Sequence, residues 1–195
     1  MLSSGNRITF GATVVRFDVQ DALDQQYDDA LDRLLNIDEL SGLYMRRKFD
    51  RELKTLIDTS RITNAPVGLL VMDLDGVKKI NDMHGHLFGA YVIGESGRVI
   101  GEVLRARGFA SRFGGDEFVA AIPDADLARS ESIAEEIRAA INAHCFERDG
   151  VTLHPGISIG AASLPESAAD AATLFRVGDE ALYRAKQAGK NRVSR

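Results

Sequence analysis

Two adjacent carboxylates follow two glycines near the middle of this chain, in a pattern that could bind a cation. In the run Arg112–Phe118, Gly114 and Gly115 directly precede Asp116 and Glu117. The apolar residues on either side predict two β-strands joined by a tight turn, in which glycine supplies a positive φ. A hairpin tip with two acids and no bulky neighbours can hold a hard cation and admit a phosphate. Glycine and aspartate are also common in ordinary solvated turns, so this run alone leaves both interpretations open.

A second acidic run follows a largely apolar stretch. Val67–Met72 is typical of a buried central strand, and it leads directly into Asp73 and Asp75. An ionised carboxylate at the end of a buried strand is costly unless a cation or a hydrogen-bond donor compensates it. If this strand pairs with the acidic hairpin, Asp73 joins Asp116 and Glu117 in a cluster that a metal ion would stabilise.

The spacing of apolar residues predicts the elements that position these acids. Helical periodicity predicts helices over Arg46–Ser60, Gly76–Asp82, Val92–Arg107, Leu127–Ala143 and Ala171–Gln187. Apolar runs predict strands over Val67–Asp73, Phe109–Phe113, Glu117–Ile122 and Thr152–Ala162. The order of these elements predicts an α/β (α+β) domain with a mixed, mainly antiparallel sheet flanked by helices.

The composition limits the classes of protein that this chain can represent. Its 195 residues are 45% hydrophobic and 27% charged, which predicts one sizeable domain with a short appendage. A net charge of −5 argues against a general binder of nucleic acids or anionic membranes, and the apolar runs fall short of the roughly 20 residues of a membrane span. The single cysteine, Cys145, excludes an internal disulfide and favours the cytoplasm; we expect it at the buried end of a helix.

The two acidic runs together resemble the GGDEF-domain family, the bacterial diguanylate cyclases. The family signature matches Arg112–Phe118, and a companion motif matches Asp73–Asp82. Three more residues of that companion motif follow in order, namely Gly85, His86 and Gly89. A turn motif at the start of the family's domain resembles Asp38–Arg47, with Ser41 where threonine is usual. The resemblance implies a catalytic domain over residues 38–195, similar to the palm of nucleotide polymerases and adenylate cyclases.

The residues before this domain divide into two segments. Residues 1–20 form a short β segment with strands at Arg7–Phe10 and Thr13–Phe17, and they resemble the last two strands of a forkhead-associated domain. Residues 21–37 are predicted as a linker helix with a heptad seam at Leu23, Tyr27, Ala30, Leu34 and Ile37. This helix either packs on its own domain or forms a parallel coiled coil below an upstream sensor domain.

The resemblance also implies the metal and catalytic residues. Asp73, Glu117 and the Leu74 carbonyl would hold two Mg²⁺ ions, with Mn²⁺ as the alternative ion. Asp116 would complete the cluster or help to deprotonate the attacking 3′-hydroxyl. The reaction is then an in-line displacement at the α-phosphate of GTP, with pyrophosphate as the leaving group.

The substrate-binding residues implied by the resemblance lie on either side of these acids. The helix that begins at Gly76, Val77 and Lys78 would hold the triphosphate at its N-terminus. Lys186 and Lys190 would add positive charge to the phosphates. Asn81 would hydrogen-bond the base edge, since an amide offers both a donor and an acceptor, and His86 would lie near the nucleotide.

Two positions depart from the family pattern. Ala90 stands where an aspartate usually accepts hydrogen bonds from guanine, and losing such a partner costs about 1–3 kcal/mol. This change predicts weaker selection of GTP over ATP. Arg105 matches the arginine of the family's Arg-x-x-Asp product-inhibition motif, but Gly108 replaces its aspartate. The resemblance therefore implies only half of an inhibitory product site, at Arg105.

Three functions remain open from the residues and the resemblance. The first is a homodimeric diguanylate cyclase, in which each domain carries half of the reaction and two GTP give cyclic di-GMP and two pyrophosphates. The second is a mixed-purine cyclic dinucleotide synthase that accepts ATP and GTP, as Ala90 suggests. The third is a catalytically silent GGDEF signalling module, against which the intact Asp73, Asp116 and Glu117 argue.

Overall fold

The chain divides into two compact units, the first ending at Leu35 and the second beginning at Asn36. The computed structural model describes residues 5–17, 24, 31 and 34–195. In the first unit, β1 (Asn6–Phe10) and β2 (Thr13–Phe17) form an antiparallel hairpin, as predicted. Most of the predicted linker helix, 21–37, lies outside the described residues, so its coiled-coil seam and the forkhead-associated resemblance stay predictions.

A six-stranded sheet forms the centre of the second unit. Its strands are β3 (Tyr44–Met45), β4 (Val67–Asp75), β5 (Phe109–Gly114), β6 (Glu117–Pro123), β9 (Gly156–Leu164) and β10 (Val193–Ser194). Their order across the sheet is β10-β9-β4-β6-β5-β3. β4 pairs antiparallel with β6 and β9, and β5 pairs antiparallel with β6, whereas the edge strands β10 and β3 run parallel to their neighbours. The predicted mixed, mainly antiparallel sheet is confirmed.

Helices cover both faces of the sheet. They are α1 (Arg46–Thr63), α2 (Val77–His84), α3 (His86–Leu104), α4 (Leu127–Ala143) and α5 (Ala171–Gln187). Leu70, Met72 and Leu74 of β4 belong to a core shared with α3 and α4, while Val67 and Leu69 belong to a second core shared with α1 and α5. Because β4 is buried on both faces, its sequence is apolar almost throughout. The bounds of α4 and α5 are those predicted.

The bounds predicted for the helix over Val92–Arg107 are wrong at both ends, since the helix runs over His86–Leu104. α3 begins six residues earlier, at His86, because Gly85 with φ 91° lets α2 end and α3 begin without a connecting loop. At the other end, Arg105 leaves the helical conformation with ψ 125°, and Ala106 has φ 59°. The motif residues near Gly85 therefore lie on a helix, not on a loop.

The region after α4 differs most from the prediction. The single strand predicted over Thr152–Ala162 is wrong: β8 (Val151–Leu153) pairs with β7 (Phe146–Arg148) in a separate hairpin, and β9 begins only at Gly156. Pro155 separates the two, since proline has no N–H to donate to a strand ladder.

Cys145 is exposed, not buried at a helix end as expected. α4 stops at Ala143 because His144 adopts an extended backbone with ψ 135°, and Cys145 then connects the helix to β7. Among the helices in the described part of the chain, none combines the length and the apolar character that a membrane span requires.

Candidate active site

The predicted pairing of the two acidic runs is confirmed. In the β4–β6 ladder Asp73 lies directly opposite Glu117, and on the other side it lies opposite Ser158 of β9. The Leu74 N–H donates to the Asp116 carbonyl at 3.1 Å. Directly opposed residues of a ladder share one face of the sheet. Asp73 and Glu117 are thus brought to the same end and the same face of the sheet.

The hairpin that carries Asp116 and Glu117 has the predicted turn. Gly115 has φ 53°, in the left-handed region, and the β5–β6 ladder changes register between Arg112 and Gly114. The Arg112 Nε donates to the Gly115 carbonyl oxygen at 2.9 Å. The turn is therefore held by its own strand as well as by the backbone ladder.

The charge of Asp73 is balanced by a lysine. The Lys186 Nζ lies 2.8 Å from Asp73 Oδ2, and the Asp73 side chain is only 14% exposed. Burial raises the pKa of Asp73 above its usual value, the hydrogen bond and positive charge of Lys186 lower it, and the carboxylates of Asp116 and Asp75 raise it further. The net shift is upward. Ionisation of Asp73 is therefore less favourable than that of a free aspartate, and a nearby cation lowers the cost.

A cavity of about 540 Å³ opens between the ends of β4 and α5 and the start of α2. Eight predicted site residues line it: Asp73, Leu74, Gly76, Val77, Lys78, Asp116, Lys186 and Lys190. Gly76, with φ 88°, is the N-cap of α2, and no side chain of the described part caps this helix end. Free N–H groups and the helix dipole favour an anion here. The cavity thus combines carboxylates with lysines and a helix N-terminus, as binding of a metal-bridged phosphate requires.

The predicted base-recognition residues lie beside this cavity on α2 and α3. A Cβ at Gly89 would overlap the Asn81 amide, so glycine is needed there for space. Asn81 Oδ1 is buried and has no hydrogen-bond partner among the described residues. Ala90 follows Gly89 and is half-buried, and His86 is exposed at the start of α3. The structure therefore brings Asn81 next to Gly89, the residue before Ala90, and leaves His86 on the surface.

Neither Glu117 nor Arg105 lines the polar cavity, although Glu117 lies directly opposite Asp73 in the sheet. Glu117 lines a second, more apolar cavity of about 290 Å³ together with Phe113 and Phe175. Arg105 is exposed just beyond α3. A Cβ at Gly108 would overlap the carbonyl oxygen of Ala121 in β6. An aspartate therefore does not fit at Gly108 unless β6 shifts.

The sequence reasoning assigned no role to Asp75. Both of its carboxylate oxygens accept a hydrogen bond from the Ser158 hydroxyl, at 2.9 and 3.0 Å, and Oδ2 also accepts from the Asn191 N–H at 2.9 Å. Asp75 also lines the polar cavity. Asp75 lies two residues after Asp73, and alternate residues of a strand share a face. The sequence could therefore have indicated that Asp75 belongs to the same site as Asp73.

The cavity residues fit a divalent cation in kind and in charge. Carboxylate oxygens are the ligands that Mg²⁺ prefers, and the raised pKa of Asp73 indicates that its charge needs compensation. The Lys186 ammonium group already forms an ion pair with the Asp73 carboxylate. Within the described residues, no three His, Cys, Asp or Glu side chains are arranged to hold a metal ion. Lys186 would therefore have to share Asp73 with any metal.

Comparisons with known proteins agree with this arrangement. The family model described as "Diguanylate cyclase, GGDEF domain" matches residues 35–192. The chain is 35% identical to the response regulator PleD of Caulobacter vibrioides over 181 residues, which are 89% of this chain and 38% of PleD. It is 36% identical to the diguanylate cyclase DgcS of Shewanella oneidensis over 155 residues, which are 79% of this chain and 50% of DgcS.

A solved structure shows the same fold. The GGDEF domain of DgcB from Caulobacter crescentus, crystallised in complex with c-di-GMP, matches with a TM-score of 0.76 at 30% identity, over 82% of this chain and 94% of that one. The chain spans half the length or less of the curated relatives PleD and DgcS. From the family match over residues 35–192 and these likenesses, the chain belongs to the GGDEF-domain family of diguanylate cyclases.

Proposed function

We propose that this chain condenses two GTP molecules into cyclic di-GMP and two pyrophosphates. The observation that carries the proposal is the polar cavity, in which carboxylates, lysines and a helix N-terminus meet. The relative DgcS is named a diguanylate cyclase, and the DgcB domain was crystallised with c-di-GMP. We extend both properties to this chain as part of the proposal.

Asp73, Glu117 and the Leu74 carbonyl would hold two Mg²⁺ ions, with Mn²⁺ as an alternative. When bound, these ions supply positive charge that stabilises the attacking and leaving oxygens at the α-phosphate. Asp116 completes this set or accepts the proton of the 3′-hydroxyl. The raised pKa of Asp73 supports the proposal, because the ionised side chain gains most from a cation.

The triphosphate is held by the other side of the cavity. Val77 and Lys78, at the start of α2, line the cavity, and so do Lys186 and Lys190. Lysines and a helix N-terminus stabilise the pyrophosphate leaving group as charge develops on it. Partial release of Lys186 from Asp73 would allow this lysine to contact phosphate.

A mixed-purine activity is the second candidate, and Ala90 is the observation that favours it. Asn81 contacts the base edge in this proposal, and Gly89 supports that role because it leaves room for the amide. Ala90 offers no acceptor for the N–H groups of guanine. Adenine would therefore be rejected less strongly than by a domain with aspartate at this position.

Each domain supplies one nucleotide and one set of acids, so catalysis needs a homodimer with two-fold symmetry. The 3′-hydroxyl of each bound nucleotide then attacks the α-phosphate held by the partner. An upstream sensor domain would control the reaction by changing the geometry of this dimer.

Product analysis tests the activity and its selectivity together. The protein is incubated with Mg²⁺ and GTP, ATP or both, and the products are separated by chromatography. We expect cyclic di-GMP from GTP alone. A mixed cyclic dinucleotide when both nucleotides are present would make Ala90 the selectivity residue. If no cyclic product forms at any protein concentration, the proposed activity is wrong.

Two matched variants separate chemistry from folding. Glu117→Gln is expected to abolish turnover because it removes a proposed metal ligand without changing the size of the side chain. Glu147→Gln makes the same change at an exposed position of β7 and is expected to leave the rate unchanged. Normal cyclisation by Glu117→Gln would contradict the metal assignment.

A further inference from the structure

The loop that follows α5, residues 188–192, has a left-handed backbone conformation that contacts with other elements must stabilise. Lys190 has φ 64° and Asn191 has φ 48°, and left-handed backbone is unfavourable for residues other than glycine. Two backbone hydrogen bonds hold the ends of the loop: the Lys190 N–H donates to the Ala185 carbonyl, and the Ile159 N–H of β9 donates to the Arg192 carbonyl. Between these two bonds lies Asn191.

The Asp75 carboxylate fixes the middle of this loop. Its Oδ2 accepts from the Asn191 N–H at 2.9 Å. The Ser158 hydroxyl, which is fully buried in β9, donates to the same carboxylate and orients it. The loop also lies directly on the start of β9, where a Cβ at Gly156 would come within 3.2 Å of Asn191 Cβ. A hydrogen bond to a charged acceptor is stronger than one between neutral groups.

The C-terminal end of α5 and its loop are therefore held to β4 at two points. Asp73 binds Lys186, and Asp75 binds the backbone of Asn191, next to Lys190. Under the proposed function, Asp73 shares its charge with a metal ion, so its hold on Lys186 weakens. The contact of Asp75 with Asn191 uses a different carboxylate, which has no part in the proposed metal site.

We propose that Asp75 is a positioning residue that holds the Asn191 backbone so that Lys190 faces the triphosphate. The inference rests on the proposed function, because it takes Lys190 to contact phosphate. Both oxygens of Asp75 already accept hydrogen bonds from protein donors, which suits a structural tie to the loop.

Nucleotide binding is the first test. The probe is 3′-deoxy-GTP with Mg²⁺, which lacks the attacking hydroxyl and cannot be cyclised, and its affinity is measured by calorimetry. We expect Asp75→Ala to weaken binding about tenfold, the loss of one charge-assisted phosphate contact. Asp75→Asn is expected to bind normally, because its amide oxygen still accepts from Asn191 while its amide N–H donates to the Ser158 hydroxyl. The affinity for guanosine, which has no phosphate, is expected not to change in either variant.

A double-mutant cycle with Lys190→Ala tests whether Asp75 acts through this lysine. If it does, Asp75→Ala combined with Lys190→Ala binds 3′-deoxy-GTP no more weakly than Lys190→Ala alone. Additive losses would overturn the inference. Normal binding by Asp75→Ala, with weakened binding by Lys190→Ala, would overturn it while leaving the proposed function intact. Normal binding by Lys190→Ala itself would overturn both the inference and the phosphate role of Lys190.

Hydrogen exchange gives a readout that does not depend on nucleotide. The Asn191 amide is expected to be protected in the wild-type protein and in Asp75→Asn, and to exchange faster in Ser158→Ala, which removes the donor that orients the carboxylate. An unprotected Asn191 amide in the wild-type protein would overturn the inference even if Asp75→Ala failed to fold.

Discussion

Gly108 occupies the position where the family's inhibitory motif carries an aspartate. The backbone approaches β6 so closely there that a Cβ would overlap the Ala121 carbonyl oxygen. Gly108 therefore differs from the family's aspartate in how closely it packs against β6 as well as in charge.

We predict that Gly108→Asp does not restore an inhibitory product site. The added side chain should displace β6 or the turn before β5, and overpacking of this kind costs about 1–3 kcal/mol. Urea unfolding measures that cost, and the rate of GTP turnover at rising cyclic di-GMP concentration measures inhibition. Gly108→Ala is the matched control, and it should be destabilised similarly because it adds a Cβ without a charge. A stable Gly108→Asp protein with stronger product inhibition would contradict the prediction.

At the scale of elements, Arg112 connects the acidic hairpin with the turn at the start of the domain. Ser41 donates to Asp38 Oδ1 through its N–H and its hydroxyl, at 2.9 and 2.7 Å. The other oxygen of Asp38 lies 3.5 Å from the Arg112 guanidinium, which also donates to the Gly115 carbonyl. This turn motif and the acidic hairpin are therefore parts of one hydrogen-bonded network.

We predict that Arg112→Met lowers kcat for GTP by roughly tenfold or more while KM changes little, since a displacement of about 1 Å at reacting groups can cost up to about 10²-fold. KM is expected to change little because the proposed phosphate-binding residues, Lys186 and Lys190, lie on α5 and in the loop after it, not on this hairpin. Steady-state kinetics at saturating Mg²⁺ measure both constants. Arg51→Met, on the exposed side of α1, is the control and should behave like the wild-type protein. A rise in KM alone would mean that Arg112 serves substrate binding.

At the scale of the whole molecule, the proposed reaction would require two copies of the domain. The polar cavity of one domain carries one set of acids, so in the proposed reaction an isolated domain would hold one nucleotide and would have no second α-phosphate to attack.

We predict that the rate per molecule rises with protein concentration and levels off once dimers predominate. Initial rates at saturating GTP, with sedimentation at the same concentrations, measure this dependence. Added Glu117→Gln protein should lower the wild-type rate because mixed dimers have lost one of their two Glu117 carboxylates, whereas added Glu147→Gln protein should not. A rate per molecule that is constant over concentrations where the protein is monomeric would contradict the dimer requirement.

Much of the fold follows from local sequence patterns. Apolar runs on both faces of β4 and a glycine turn before Glu117 are properties of neighbouring residues, so the pairing of the two acidic runs was predictable. Regular helical spacing similarly located α4 and α5. The predicted single strand over Thr152–Ala162, by contrast, ran through Pro155, whose missing N–H separates β8 from β9.

Local sequence patterns specify which acids and cations this domain carries and which strands carry the acids. Hydrophobic periodicity and turn residues depend only on positions that are close together in the chain. Only the tertiary structure decided which cation meets which acid. Asp75 and Asn191 are 116 residues apart in the chain. They meet because β4 and the loop after α5 both pack against the start of β9. The close approach of Gly108 to Ala121 and the second cavity that Glu117 lines with Phe113 and Phe175 likewise depend on how β5, β6 and the helices pack together, which local patterns do not specify.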